Sequence, residues 1–82
     1  MEHDIEIDAR GLLCPLPVLR ARKILNELRP GTRVLLIATD AASWLDVPHF
    51  CAQAGHILLS AEQIDKDRRY VIQRGPGRPD AD

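Results

Sequence analysis

The alternation of apolar and acidic residues at the start of the chain predicts a β-strand with one buried face. From His3 to Ala9, every second residue from Ile5 onward is apolar, and side chains two apart lie on the same side of a strand. Arg10 and Gly11 interrupt this alternation. Further along, Val34 to Ala38 is apolar without a break, which predicts a central strand that is buried on both faces or lies under a helical layer.

The next periodic stretch predicts an amphipathic helix from Pro15 to Leu28. Its apolar residues recur every three or four positions and its polar residues cover the other side, which is the pattern of a helix that packs on a sheet. Pro15 and Pro17 are compatible with the first turn, where backbone N–H groups have no partner inside the helix. Pro30 and Gly31 are expected to end the helix.

A second helix is predicted to begin at Asp46, although the residues before it allow two interpretations. Asp46 fits an N-cap, Pro48 fits the first turn, and Gly55 fits the position after a helix. The segment from Ala41 to Leu45 is either a loop or an earlier helical turn that Asp40 caps. The predicted apolar stripe of this helix consists of Val47, Phe50, Cys51 and Ala54.

Two further strands are predicted to form a hairpin near the end of the chain. Ile57 to Glu62 alternates like a half-buried strand, Asp65 to Asp67 provides a turn, and Tyr70 to Ile72 returns. From Arg74 onward the sequence is rich in glycine and proline and has no large apolar residue. We therefore predict a folded domain over residues 1–73 and a disordered tail over residues 74–82.

The element order β-α-β-α-β-β predicts an α+β fold with a mixed four-stranded sheet. Both helices must cover one face of the sheet, because too little chain remains to cover both faces. If the first two strands are parallel and their crossover is right-handed, their carboxyl ends share one edge, where both helices begin. That arrangement brings Cys14 near Asp40 and Asp46.

Length and composition indicate one small globular domain. The chain has 82 residues, of which 45% are hydrophobic and 28% charged, with a formal net charge of −1. The near-neutral charge argues against a dedicated nucleic-acid-binding protein. No apolar run approaches the ~20 residues of a membrane span, and the acidic start does not have the features of a signal peptide. Two cysteines are too few for a secreted disulfide scaffold, so we expect a cytoplasmic protein.

Cys14 is the main candidate for chemistry, because it stands where a loop is predicted to become the first helix. The thiolate is the reactive form of cysteine, and the positive end of a helix stabilises it. That effect alone leaves the thiol mostly protonated at neutral pH, so nearby cations must add to it. The candidate cations are Arg10, Arg20, Arg22 and Lys23. The alternative interpretation is that Cys14 is a small buried apolar residue.

The remaining cysteine, the histidines and the tryptophan give weaker indications of function. Cys51 lies on the predicted core face, so we expect an inert packed thiol and no disulfide between it and Cys14. The histidines have no metal-ligand spacing relative to each other or to the cysteines, so no metal site is predicted. His56 is expected to form a hydrogen bond at a strand end. Trp44 either fills a gap in the core or contacts a partner.

The residues from Asp8 to Val18 resemble the Cys-Pro-x-Pro signature of the TusA/SirA-like sulfur carrier proteins, here Cys14-Pro15-Leu16-Pro17. The resemblance extends over residues 4 to 73. Its later elements are Pro30-Gly31, Thr39-Asp40, Asp46-Val47-Pro48 and Gly55-His56. The chain departs from the family pattern at Ala41, where proline is frequent, and at Trp44, in a loop that is usually more polar.

The resemblance implies a two-layer α/β sandwich in which Cys14 accepts sulfane sulfur as a persulfide and relays it. A cysteine desulfurase would be the donor, and the acceptor would be a sulfurtransferase protein in tRNA thiolation, molybdenum cofactor synthesis or sulfur metabolism. We expect a monomer without a cofactor or metal. Positioning residues are expected to be Gly11, Pro15 and Pro17. Partner-binding residues are expected to be Arg10, Arg22, Lys23 and Asp46, the last of which caps its own helix or contacts a partner.

Two other functions remain open on the sequence alone. The same fold serves binding modules for RNA or protein, and the cations between Arg20 and Arg33 could form a basic patch for that purpose. A thiol redox switch is the other alternative. It requires a resolving cysteine, and Cys51 is badly placed for that role.

Overall fold

A computed structural model describes residues 2–76, and within them six elements follow the predicted order. The elements are β1 (Ile5–Ala9), α1 (Leu16–Leu25), β2 (Arg33–Ala38), α2 (Ser43–Ala54), β3 (Ile57–Ile64) and β4 (Asp67–Gln73). The predicted α+β class and the mixed four-stranded sheet are confirmed.

The sheet has the strand order β1-β2-β4-β3, with β1 parallel to β2 and the other two pairings antiparallel. The parallel register runs from Ile5 opposite Val34 to Ala9 opposite Ala38. Because the two strands end side by side, the loops that lead into α1 and α2 emerge at the same edge of the sheet.

The main core lies between the two helices and one face of the sheet. Its buried members are Ile7, Ala9, Ala21, Leu25, Val34, Leu36, Ala38, Val47, Phe50, Cys51, Tyr70 and Ile72. A smaller cluster of Leu35, Ile37 and Val71 lies on the opposite face and contains no helical residue. The helices therefore form one layer and the sheet the other, and β2 is buried on both faces because it is a central strand.

Helix α2 begins at Ser43, and its N-cap residue, Ala42, lies four residues before the predicted N-cap, Asp46. The Ser43 N–H donates to the Asp40 carbonyl oxygen at 3.1 Å, and the Asp46 N–H donates to the Ala42 carbonyl oxygen at 3.0 Å. Asp46 is therefore not the N-cap and Pro48 lies inside the helix, so both predictions are wrong. Of the two interpretations of residues 41–45, the helical turn is correct, although the N-cap residue is Ala42 and not Asp40.

The reason for the early start is a tertiary contact that the local sequence does not reveal. Ser43 is buried, and its hydroxyl oxygen lies 2.6 Å from the hydroxyl oxygen of Tyr70 on β4. Ser43 also extends the buried stripe of α2, whereas Ala54, predicted to belong to that stripe, is exposed. Helix α1 is shorter than predicted and ends at Leu25, after which the chain forms a tight turn.

The described chain remains packed two residues beyond the predicted domain boundary. Arg74 is only 3% exposed, and its Nε donates to the carbonyl oxygen of Leu25 at 3.1 Å. The Gly75 N–H donates to Nδ1 of His56 at 3.0 Å. A Cβ atom at Gly75 would overlap the Gly55 carbonyl oxygen, so this close approach requires glycine. The prediction of disorder is therefore wrong for Arg74 and Gly75, and residues 77–82 of the predicted tail lie outside the described residues.

Candidate functional site

Two residues that follow β2 hold the loop that carries Cys14. Thr39 Oγ1 accepts a hydrogen bond from the Gly11 N–H at 2.9 Å. Asp40 Oδ2 accepts one from the Cys14 N–H at 2.7 Å. Gly11 has a φ of 81°, in the left-handed region that glycine adopts without a Cβ clash. The predicted proximity of Cys14 and Asp40 is thus confirmed, and it results from the parallel pairing of β1 with β2.

Prolines shape the start of α1 beside the cysteine. The helix begins at Leu16, one residue later than predicted, with Pro15 as the N-cap residue and Pro17 buried in the first turn. The Cys14–Pro15 peptide bond is cis. The Leu16 N–H donates to the Leu13 carbonyl oxygen at 2.8 Å. Because the prolines have no N–H and the Cys14 amide is bound to Asp40, residues 14–17 have no unpaired backbone N–H that could stabilise a thiolate.

The exposed Cys14 side chain lines an open groove of about 170 Å³ between the two helices. The loop and α1 contribute Cys14, Pro15, Val18 and Arg22, and α2 contributes Asp46, His49, Phe50 and Gln53. The thiol therefore shares one recess with a carboxylate, a guanidinium group and an imidazole ring. This is the arrangement expected of a reactive side chain that another molecule must reach.

The acidic side chains near Cys14 raise the pKa of its thiol above the ordinary value. The interaction of the thiol with the Asp46 carboxylate is the largest cause, followed by partial loss of solvent and by the negative charges of Asp46 and Asp40. The expectation that nearby cations would lower this pKa is wrong. This shift favours the protonated form of the Cys14 thiol at neutral pH in the free protein.

The structure brings two of the four predicted partner-binding residues to the groove. Arg22 and Asp46 line it, and the Arg22 guanidinium carbon lies 5.6 Å from the centre of the Phe50 ring. Arg10 instead forms an ion pair with Asp8 at 3.0 Å. Lys23 lines a separate recess on the outer side of α1, together with Leu12, Leu16, Leu19 and Arg20.

Cys51 is buried in the core on the inner side of α2. Its side chain is 2% exposed, and burial raises the pKa of its thiol to about 11. Both cysteines are free thiols. Because Cys51 packs against the sheet while Cys14 is exposed at the groove, Cys51 is not placed to act as a resolving thiol for Cys14.

His56 and Trp44 contact other parts of the fold and do not line the groove. His56, directly before β3, accepts a hydrogen bond from the Gly75 N–H just after β4, in agreement with the predicted hydrogen bond at a strand end. Trp44 packs against the main core, with its ring 5.7 Å from the ring of Tyr70. Among residues 2–76, no group of three or more His, Cys, Asp or Glu side chains is arranged to hold a metal ion. Neither described helix is long and apolar enough to cross a membrane.

Four groove residues are absent from the predicted site residues: Val18, His49, Phe50 and Gln53. A signal for part of this set was present. Asp46, His49 and Gln53 have the three- and four-residue spacings that place side chains on one helical face. The spacing alone does not reveal that this face borders Cys14, because it does not specify how α2 is rotated relative to α1.

Comparisons with known proteins show what this chain is similar to. A family model described as sulfurtransferase TusA matches residues 5–74. A crystal structure of a SirA-like protein from Desulfitobacterium hafniense has 30% sequence identity to this chain and superposes with a TM-score of 0.78. That match covers 88% of this chain and 99% of the other. The matched region includes the Cys14 loop, both helices and all four strands.

Proposed function

This chain belongs to the TusA sulfurtransferase family, and we propose that it carries sulfane sulfur as a persulfide on Cys14 and passes it to an acceptor protein. Family membership supports a sulfur-carrying role in general. The observation that supports the specific role of Cys14 is the exposure of its thiol in a groove between the two helices. A thiol that must enter the active site of another protein needs such exposure.

In the first step, the Cys14 thiolate attacks the outer sulfur of a persulfide on the donor. A bond forms between Cys14 Sγ and that sulfur, the sulfur–sulfur bond of the donor breaks, and the donor cysteine leaves as a thiolate. The proton that Cys14 loses is finally taken up by the donor thiolate. One thiol and one persulfide therefore become one persulfide and one thiol, without an external oxidant or reductant.

In the second step, a thiolate of the acceptor attacks the outer sulfur on Cys14 and releases the Cys14 thiolate. The protein returns to its initial state and accepts another sulfur atom. This chemistry describes a relay between proteins, in which the carrier needs no bound cofactor.

Asp46 provides a reason for Cys14 to react mainly with a docked partner. In the free protein, the Asp46 carboxylate raises the pKa of the thiol and keeps it protonated. A cationic side chain of a partner that pairs with Asp46 would weaken the interaction of Asp46 with the thiol and offset its negative charge. Docking would then favour the thiolate. This role agrees with the expectation that Asp46 contacts a partner.

The partners and setting follow from the same proposal. A cysteine desulfurase is the proposed donor, and a sulfurtransferase protein that serves tRNA thiolation, molybdenum cofactor synthesis or sulfur metabolism is the proposed acceptor. The protein is proposed to act as a cytoplasmic monomer. Arg22 and Asp46, which line the groove, are the proposed partner contacts nearest to the thiol.

The proposal predicts a mass increase of about 32 Da, one sulfur atom, when the protein is incubated with a cysteine desulfurase and cysteine. Intact-protein mass spectrometry measures this gain. Cys14→Ser abolishes it, because serine cannot form a persulfide. Cys51→Ser is the matched control and retains the gain, because Cys51 is buried. An unchanged wild-type mass, or a gain that survives Cys14→Ser, would contradict the proposal.

A further inference from the structure

We propose that Asp40 is a positioning residue that orients Cys14 for sulfur transfer by holding its backbone amide. The proposal rests on the function of Cys14 proposed above. Asp40 is not part of the Cys-Pro-x-Pro motif and lies 26 residues from Cys14 in the sequence. Its carboxylate nevertheless makes the shortest hydrogen bond of the Cys14 loop, 2.7 Å from Oδ2 to the Cys14 nitrogen.

The Asp40 carboxylate connects the starts of the two helices that line the groove. Oδ2 accepts the Cys14 N–H just before α1, while Oδ1 lies 3.4 Å from the Ala42 nitrogen at the start of α2. The Asp40 carbonyl oxygen accepts the Ser43 N–H in the first turn of α2 at 3.1 Å. Asp40 therefore fixes the position of Cys14 relative to α2, which lines the other side of the groove.

Leu12 packs against the main core, but the loop residues next to Cys14 have little packing of their own to replace this bond. Leu13 is 69% exposed, and Cys14 and Pro15 are exposed as well. Two hydrogen bonds join residues 11–14 to the segment after β2, from the Gly11 N–H to Thr39 and from the Cys14 N–H to Asp40. Since small displacements of a reacting atom strongly reduce reaction rates, loss of the Asp40 bond is expected to reduce sulfur transfer.

Asp40 exerts a second effect that opposes transfer, and this makes the positioning role testable. Its negative charge contributes to the raised pKa of the Cys14 thiol. Asp40→Ala and Asp40→Asn both remove that charge, so both variants should lower the thiol pKa to a similar degree. Only asparagine keeps a side-chain oxygen that can accept the Cys14 N–H. The two variants therefore separate charge from positioning.

The experiment measures sulfur loading of Cys14 from a cysteine desulfurase by mass spectrometry for the wild type, Asp40→Ala and Asp40→Asn. We expect loading to slow about tenfold or more in Asp40→Ala and to stay within about threefold of the wild type in Asp40→Asn, which retains a weaker neutral hydrogen bond. The pH dependence of Cys14 alkylation is measured in parallel and should shift to lower pH in both variants.

Amide hydrogen exchange supplies a readout that does not depend on the sulfur chemistry. Exchange of the Cys14 amide should accelerate about tenfold or more in Asp40→Ala and less in Asp40→Asn, because a hydrogen bond to a charged acceptor is lost or weakened. Asp4→Ala is the matched control. Its carboxylate also accepts a distant backbone N–H, that of Arg33 at 3.0 Å, but it lies at the opposite edge of the sheet.

The outcomes distinguish this proposal from the proposed function. Equal loading rates in Asp40→Ala and the wild type would overturn the positioning role, as would equal losses in the alanine and asparagine variants. Unchanged exchange of the Cys14 amide in Asp40→Ala would also overturn it. If the wild type gains no sulfur, the sulfur-carrier function fails, whereas the exchange and alkylation measurements still decide whether Asp40 holds Cys14.

Discussion

At the residue scale, the chemistry of Cys14 depends on side chains that are distant in sequence. The proline spacing around Cys14 identified it as the candidate, because prolines fit the first helical turn. The same prolines remove N–H groups that could have stabilised a thiolate. Asp46, which lies 32 positions further along the chain, is the main cause of the raised pKa of the Cys14 thiol. The sequence indicated the candidate residue and showed that a nearby carboxylate would raise its pKa, whereas the balance between carboxylates and cations required the folded arrangement.

The variant Asp46→Asn is expected to lower the pKa of the Cys14 thiol. Replacement of the carboxylate removes the negative charge that disfavours the thiolate. The rate of alkylation by iodoacetamide, measured against pH, should therefore rise at a lower pH than in the wild type. Glu62→Gln on β3 is a control for loss of a negative charge away from the site. A rise at the same or a higher pH in Asp46→Asn would contradict the assigned cause.

At the element scale, the start of α2 shows how a tertiary contact overrides local capping signals. Asp46 and Pro48 have the residue types of a helix start, yet the helix begins at Ser43. The buried hydrogen bond between the hydroxyl groups of Ser43 and Tyr70 gives the earlier turn a partner on β4. Asp46 consequently lies on the groove side of an established helix instead of capping its end.

This hydrogen bond predicts a specific stability effect. Tyr70→Phe leaves the buried Ser43 hydroxyl without its partner and should lower the free energy of unfolding by about 1–3 kcal/mol. Urea denaturation measures the change. The double variant Tyr70→Phe/Ser43→Ala removes both hydroxyl groups, so its loss should be smaller than the sum of the two single losses. Strict additivity, or an unchanged stability of Tyr70→Phe, would contradict the contribution of this bond.

At the scale of the whole molecule, the segment after β4 ties the ends of three other elements together. Arg74 Nε donates to the carbonyl oxygen of Leu25 at the end of α1, and the Gly75 N–H donates to His56, which precedes β3. The Arg74 backbone also bonds with Gly31 and Thr32 before β2. Because Nδ1 of His56 accepts a hydrogen bond, this arrangement requires an unprotonated nitrogen there.

Stability should therefore decrease at acidic pH through His56. Burial is the main reason that the pKa of His56 is lowered from its ordinary value of 6.5, and the charge of Arg74 adds to the effect. A group with a lowered folded-state pKa stabilises the protein fully above the unfolded pKa, and this contribution is lost as the pH falls through the folded pKa. An NMR titration of the His56 ring should give a midpoint below 6.5. As the pH falls through this midpoint, the free energy of unfolding should decrease less in His56→Ala than in the wild type.

Periodicity and proline spacing were sufficient to predict the order of the elements and the fold class, and they identified Cys14 as the candidate for chemistry. These features depend on residues close together in the chain, and their hydrophobic pattern determines which faces are buried. The start of α2, the lining of the groove, the pKa of Cys14 and the packing of Arg74 were decided by folding. Each depends on contacts between residues far apart, such as the 26 positions between Cys14 and Asp40 or the 49 between Leu25 and Arg74, which no local pattern specifies.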